Sequence, residues 1–138
     1  MTETELAHHD LTRSIIGAFY ELYRTLGYGF LESHYCAALE RELVAAGHMV
    51  SREHAVQVMY KGQELGFHRL DLLVDESVVV EVKSTAALHP VAKRQLHNYL
   101  RATNLEVGLL LHFGPEAKFL RIFTPNRSDS SGRGPHPR

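Results

Sequence analysis

The sequence predicts an α/β domain built on a mixed sheet, and three observations carry that expectation. The apolar period is helical up to about residue 46, alternates like a strand after residue 48, and turns helical again after Pro90. The apolar runs Leu70-Asp71-Leu72-Leu73-Val74 and Val78-Val79-Val80-Glu81-Val82-Lys83 flank the polar turn Asp75-Glu76-Ser77, which is a β-hairpin pattern. A helical segment then stands between two apolar strands, which requires a crossover and at least one parallel pair. The predicted order is α-α-β-β-β-α-β-β.

Residues 1–9 read as a frayed lead-in. Ile15, Ile16, Phe19, Leu22, Tyr23 and Leu26 recur at helical spacing and predict a helix from residue 10 or 12 to about 26. Gly27-Tyr28-Gly29 breaks it. A second helix is expected over 31–46, closed by Gly47, with Tyr35, Leu39, Leu43 and Ala46 on its buried stripe. Strands are expected over 48–52 and 55–60, then a turn at Lys61-Gly62-Gln63, then strands over 65–74 and 78–83. Pro90 suits the start of a third helix over 91–103. Residues 107–113 form a fully apolar strand and 119–123 a shorter last one. The composition of 125–138, rich in Pro, Gly, Ser and Arg, predicts a disordered tail, leaving 1–124 as one domain. Within that tail Arg127, Arg133 and Arg138 stand against Asp129, a cationic excess suited to holding nucleic acid weakly.

The 138 residues can bury one core without covalent staples. A net charge of −1 does not announce a nucleic-acid binder. The single cysteine, Cys36, excludes an internal disulfide framework and a four-cysteine metal site, and points to a reducing cytoplasm. The first ten residues are polar and acidic, and no apolar run is long enough for a membrane span. The ten histidines are scattered without paired-ligand spacing, so zinc is not expected. No phosphate-cradling glycine loop occurs.

Chemistry concentrates in the hairpin. If Val74 pairs with Val78, Asp71 falls opposite Glu81, and strand alternation puts Lys83 on the face of Glu81. Like charges in opposition are destabilising, so a cation belongs between them, either Lys83 or a metal. Two converging carboxylates are hard oxygen ligands suited to Mg²⁺ or Mn²⁺. Glu32 opens the second helix and fits either a helix-dipole role or a site role. Gln95 and Tyr99 lie four apart on one face of the third helix, as a polar face with a core-edge tyrosine or as site residues. Lys93, Arg94 and Arg101 make that helix a basic ridge, either a solvated face or a phosphate contact.

Together these residues resemble a known pattern. Gly29-Phe30-Leu31-Glu32-Ser33-His34-Tyr35 fits the signature of the small bacterial GxxExxY proteins, a group assigned to the PD-(D/E)XK nuclease superfamily. Asp71 with Glu81-Val82-Lys83 is similar to the superfamily's D…ExK core, and Gln95 with Tyr99 to the QxxxY element of its RecB-type members. The resemblance covers about residues 15–123. Leu70 stands where a proline is usually written, and the four-cysteine iron–sulfur cluster of some relatives is impossible here. The resemblance implies a restriction-endonuclease-like α/β/α sandwich with a central mixed sheet. It implies Mg²⁺ (or Mn²⁺) held by Asp71, Glu81 and Glu32, with Lys83 positioning the attacking water. Gln95 and Tyr99, with Lys93 and Arg94 beside them, would support the site or the substrate. The implied reaction is hydrolysis of DNA phosphodiester bonds, with a protein partner supplying targeting. The alternative is a non-catalytic module that keeps the fold and binds nucleic acid or protein.

Overall fold

A computed structural model describes residues 2–125. Met1 and residues 126–138 lie outside the described residues, and so do the expectations made for that part of the tail. The elements are α1 (Glu3–Leu26), α2 (Glu32–Ala45), β1 (Val50–Tyr60), β2 (Gln63–Val74), β3 (Val78–Lys83), α3 (Val91–Thr103), β4 (Val107–Phe113) and β5 (Ala117–Phe123).

Two boundaries correct the sequence reading. α1 begins at Glu3, so residues 3–9 are helical rather than a frayed lead-in. The reason is a capping box: the Thr2 hydroxyl accepts from the Glu5 N–H at 3.0 Å, and the Glu5 carboxylate accepts from the Thr2 N–H at 2.7 Å. The two strands expected between residues 48 and 60 are one strand, β1, with a local irregularity at Glu53, whose φ is 52°. The following hairpin turns on Lys61 and Gly62, both at positive φ, between the paired Tyr60 and Gln63. That backbone matches a two-residue turn compatible with strand twist, so β2 starts at Gln63.

The sheet order is β1-β2-β3-β4-β5, with β3 and β4 parallel and every other pair antiparallel. α3 makes the crossover between the parallel strands. Its buried stripe, Ala92, Leu96 and Leu100, packs on Leu73, Val79, Leu110 and Ile122. α1 and α2 cover the opposite face, packing Ile15, Phe19, Leu39 and Leu43 on Leu72, Val80, Leu109 and Leu111. The result is a three-layer α/β/α sandwich. β4 is buried along its whole length, as a strand covered on both faces must be. No helix among the described residues is long and apolar enough to cross a membrane.

The β1–β2 hairpin changes face midway. Leu70 packs in the core under α3, whereas Leu72 packs in the core under α1 and α2. On a regular strand residues two apart share a face. The regular pairing resumes on either side of Glu53 and Asp71 but omits both. A non-glycine residue at positive φ marks this break in β1, and Asp71 sits at the same point in β2.

A polar tie closes the opposite end of the fold. Ser14 Oγ lies 2.9 Å from His48 Nε2, and His48 Nδ1 lies 2.7 Å from Asp75 Oδ2. The order of groups is that of a hydrolase triad, but Ser14 sits mid-helix, where the neighbouring N–H groups are committed to the helix. No backbone donors remain there for an oxyanion, so the chain serves to join α1, the α2–β1 loop and the β2–β3 turn. Burial alone would raise the Asp75 carboxyl, but the Met49 N–H and His48 outweigh it and hold it below its ordinary value. A depressed carboxyl contributes stability above the unfolded value near 3.9, lost as pH falls through the lower folded value. Asp75→Ala is expected to lower stability by about 1–3 kcal/mol at neutral pH, with a gap that narrows in acid, measured by urea denaturation across pH.

Candidate active site

The site forms where the β2–β3 ladder ends. Ladder pairing runs through Val74↔Val78, Leu73↔Val79 and Leu72↔Val80 and stops there. At the next step side chains replace backbone partners. Glu81 Oε2 accepts from the Asp71 N–H at 3.0 Å, and Asp71 Oδ2 accepts from the Val82 N–H at 2.8 Å. The predicted opposition of Asp71 and Glu81 is therefore present as a reciprocal exchange of carboxylate–amide bonds. The other oxygens, Asp71 Oδ1 and Glu81 Oε1, accept no hydrogen bond from the described residues.

Glu32 reaches the same place from α2. Its Oε2 accepts from the Ser84 N–H, just past β3, at 3.1 Å, and its charge raises the proton affinity of both Asp71 and Glu81. The loop before it is held by Tyr35, fully buried and stacked on Phe113 at 3.9 Å. The Tyr35 hydroxyl donates to the Gly27 carbonyl at 2.7 Å and accepts from the Phe30 N–H at 3.3 Å. Gly29, at φ 106°, supplies the backbone conformation that other residues resist. The spacing of Gly29, Glu32 and Tyr35 thus has a mechanical meaning: a flexible turn, a carboxylate delivered to β3, and a phenol that locks the turn.

The electrostatics are those of an unneutralised acidic cluster. Burial, then the neighbouring Asp71 charge, pushes the Glu81 carboxyl up to about 8. Burial also raises Asp71, against the opposing pull of the Val82 N–H. Lys83 lowers both but forms no ion pair with either among the described residues. The cation expected between the carboxylates is not Lys83. No group of three or more His, Cys, Asp or Glu side chains among the described residues is arranged to hold a metal ion. The donor set is nevertheless of the kind a hard divalent cation takes, because Asp71, Glu81 and Glu32 each keep one carboxyl oxygen that accepts no hydrogen bond from the described residues, and a bound cation would favour their ionised forms.

The structure sorts the remaining sequence candidates. Tyr99 enters the site through His68: the two rings stack at 3.6 Å and 9°, and His68 Nε2 lies 4.0 Å from Glu81 Oε1. Gln95 is exposed and makes no hydrogen bond among the described residues. Lys93 and Arg94 are likewise exposed on α3, with no contact to the carboxylates. His68 was not legible as a site residue, because on a regular strand it would face away from Asp71. Its buried Nε2 has no hydrogen-bond partner. Cys36 is buried behind the cluster, and burial together with the Asp71 charge pushes its thiol up to about 12.

Residues 9–122 match the PD-(D/E)XK nuclease superfamily, and the chain belongs to it. No curated protein sequence matches the chain significantly. Among solved structures it is similar to the crystal structure of SSO0001, at 21% identity and a TM-score of 0.52, over 67% of this chain and 50% of that one. It is also similar to an alkaline exonuclease (LHK-Exo) from Laribacter hongkongensis, at 13% identity and a TM-score of 0.47, over 66% of this chain and 54% of that one. The chain spans about half the length of either. The fold is restriction-endonuclease-like, as the resemblance implied.

Two outcomes test this electrostatic picture. A raised Glu81 binds more protons folded than unfolded between the unfolded value near 4.3 and the folded value, so metal-free stability should fall as pH rises across that window. Glu81→Gln should flatten that slope, measured by urea denaturation in EDTA. Tyr35→Phe should cost about 1–2 kcal/mol by removing two buried hydrogen bonds, with the larger effect on hydrogen exchange of the loop at residues 27–31.

Proposed function

We propose that this protein is a divalent-metal-dependent nuclease that hydrolyses DNA phosphodiester bonds. What supports the reading is the carboxylate–amide exchange between Asp71 and Glu81, with Glu32 anchored on the Ser84 N–H just past β3 and Lys83 on the same strand, in a chain of this superfamily. The heptad from Gly29 to Tyr35 further supports placement in the GxxExxY group. Asp71, Glu81 and Glu32 would hold Mg²⁺ or Mn²⁺. Once bound, that ion would supply charge neutralisation at the phosphoryl group and activation of water. The chain's own part is positional. The Asp71 and Val82 N–H groups fix one oxygen of each hairpin carboxylate, leaving the other directed to the cation. Lys83, partly exposed on the face of Glu81, holds and orients the attacking water by donating a hydrogen bond to it, and its positive charge favours the hydroxide form of that water. Tyr99 and His68 form a stacked wall against Glu81. Gln95, Lys93 and Arg94 are outer substrate contacts along α3, met only when nucleic acid bridges them to the carboxylates. One free cysteine suits a reducing compartment such as the cytoplasm.

The second reading is a binding module that retains the fold and acts through a protein partner. It is favoured by the absence, among the described residues, of a preformed cation cage, and by the net charge of −1. A Mn²⁺ titration by calorimetry and a cleavage screen on single-stranded, duplex and branched DNA separate the two. Asp71→Asn and Glu81→Gln should each weaken Mn²⁺ binding at least tenfold with the fold intact. Lys83→Ala should leave Mn²⁺ binding close to wild type and abolish Mg²⁺-dependent cleavage. Wild-type protein that binds DNA but cuts none of these forms with either ion would establish the module instead.

A further inference from the structure

Beside the carboxylates lies an open cleft of about 670 Å³, walled by the loop before α2 and by Ser84, Thr85 and Ala86 after β3. Glu32 lines it, so the cleft is continuous with the candidate active site. Its mouth carries unusual exposure. Tyr28 is 59% exposed and Phe30 45%, on either side of Gly29. The Phe30 ring is held in place. Phe30 stands edge-on to both Tyr35 and His34 at 6.0 Å, and its N–H is bonded to the Tyr35 hydroxyl. Two aromatic rings left in solvent add nothing to the protein's own core. The charge pattern narrows the occupant. Among the described residues no cationic side chain lines the cleft and Glu32 is the one charged group, so its lining does not favour phosphates. The nearest chain cation by sequence is Lys83, directly before Ser84 at the wall, on the side of the carboxylates.

We propose that Tyr28 and Phe30 form a stacking subsite for an unpaired base, so that the substrate of this site is single-stranded nucleic acid or a single-stranded end. The proposal rests on the nuclease reading and names its substrate class. A strand would lay its phosphates toward Lys83 and the carboxylates while a base beside the scissile bond turns into the aromatic mouth. The cleft has the volume of a small-molecule pocket, roughly 300–1,000 Å³, which leaves room for an unstacked base. Base stacking on aromatic side chains is tolerant of sequence, so the subsite selects strandedness rather than sequence.

Fluorescence anisotropy in EDTA reads binding without cleavage, using labelled dU and rU 12-mers and a blunt hairpin duplex. The wild type should bind the single strands more tightly than the duplex. Tyr28→Ala and Phe30→Ala should each weaken single-strand binding roughly tenfold with duplex binding unchanged. Tyr28→Phe should restore wild-type affinity, and circular dichroism should show every variant folded. Tighter dU than rU binding assigns the site to DNA, and the reverse order to RNA. Two folded alanine variants with wild-type single-strand affinity would overturn the proposal, as would a wild-type preference for the duplex. Cleavage in Mg²⁺ is scored separately. Loss of the stacking effect with cleavage retained sinks this proposal alone, and stacking without cleavage sinks the nuclease reading alone.

Discussion

The exchange of hydrogen bonds between Asp71 and Glu81 is the constraint on which the site depends. Two neighbouring strands normally satisfy their amides with each other's carbonyls. Here two amides are satisfied by side-chain carboxylates instead, at 3.0 and 2.8 Å. That substitution lets the strands part at the end of the sheet without leaving buried donors unpaired, which would cost about 1–3 kcal/mol each. It also orients the carboxylates while one oxygen of each stays free. The same bonds that end the ladder therefore build the chemistry, and a group removed from one role is removed from both.

Everything around this point serves to keep the acidic groups close. α2 delivers Glu32 because Tyr35 pins the preceding loop. The hairpin changes face at Glu53 and Asp71, which brings His68 onto Tyr99 beside Glu81. Burial first, and the neighbouring Asp71 charge second, make the cluster resist ionisation, in keeping with the upward shift of Glu81. Such a site is under electrostatic tension in its metal-free form, and a divalent ion is the group whose charge would relieve it.

Much of this was legible in the residues. The hairpin register followed from the three-residue polar turn between Val74 and Val78, and β3, α3 and β4 stand where the apolar runs placed them. The capping box at Thr2 and Glu5 was also present in the sequence, and the polar composition of the first residues obscured it. The face change was not legible. It depends on a left-handed Glu53, a conformation that no glutamate advertises, and with it went His68. The part played by Tyr35 was hidden for a different reason: its periodicity spoke only of burial, and its hydroxyl partners, Gly27 and Phe30, are fixed by tertiary packing.

Cys36 turns the buried layer behind the site into a gauge. Its thiol is enclosed and held near pKa 12, so the reactive thiolate is scarce at neutral pH and reagents cannot reach it in the closed state. Modification must then wait for α2 to lift from the sheet. α2 is also the helix that carries Glu32, so the labelling rate of one natural sulfur atom reports how often the carboxylate trio comes apart. The chain thus holds a native probe of local opening behind the carboxylates, free of any engineered tag.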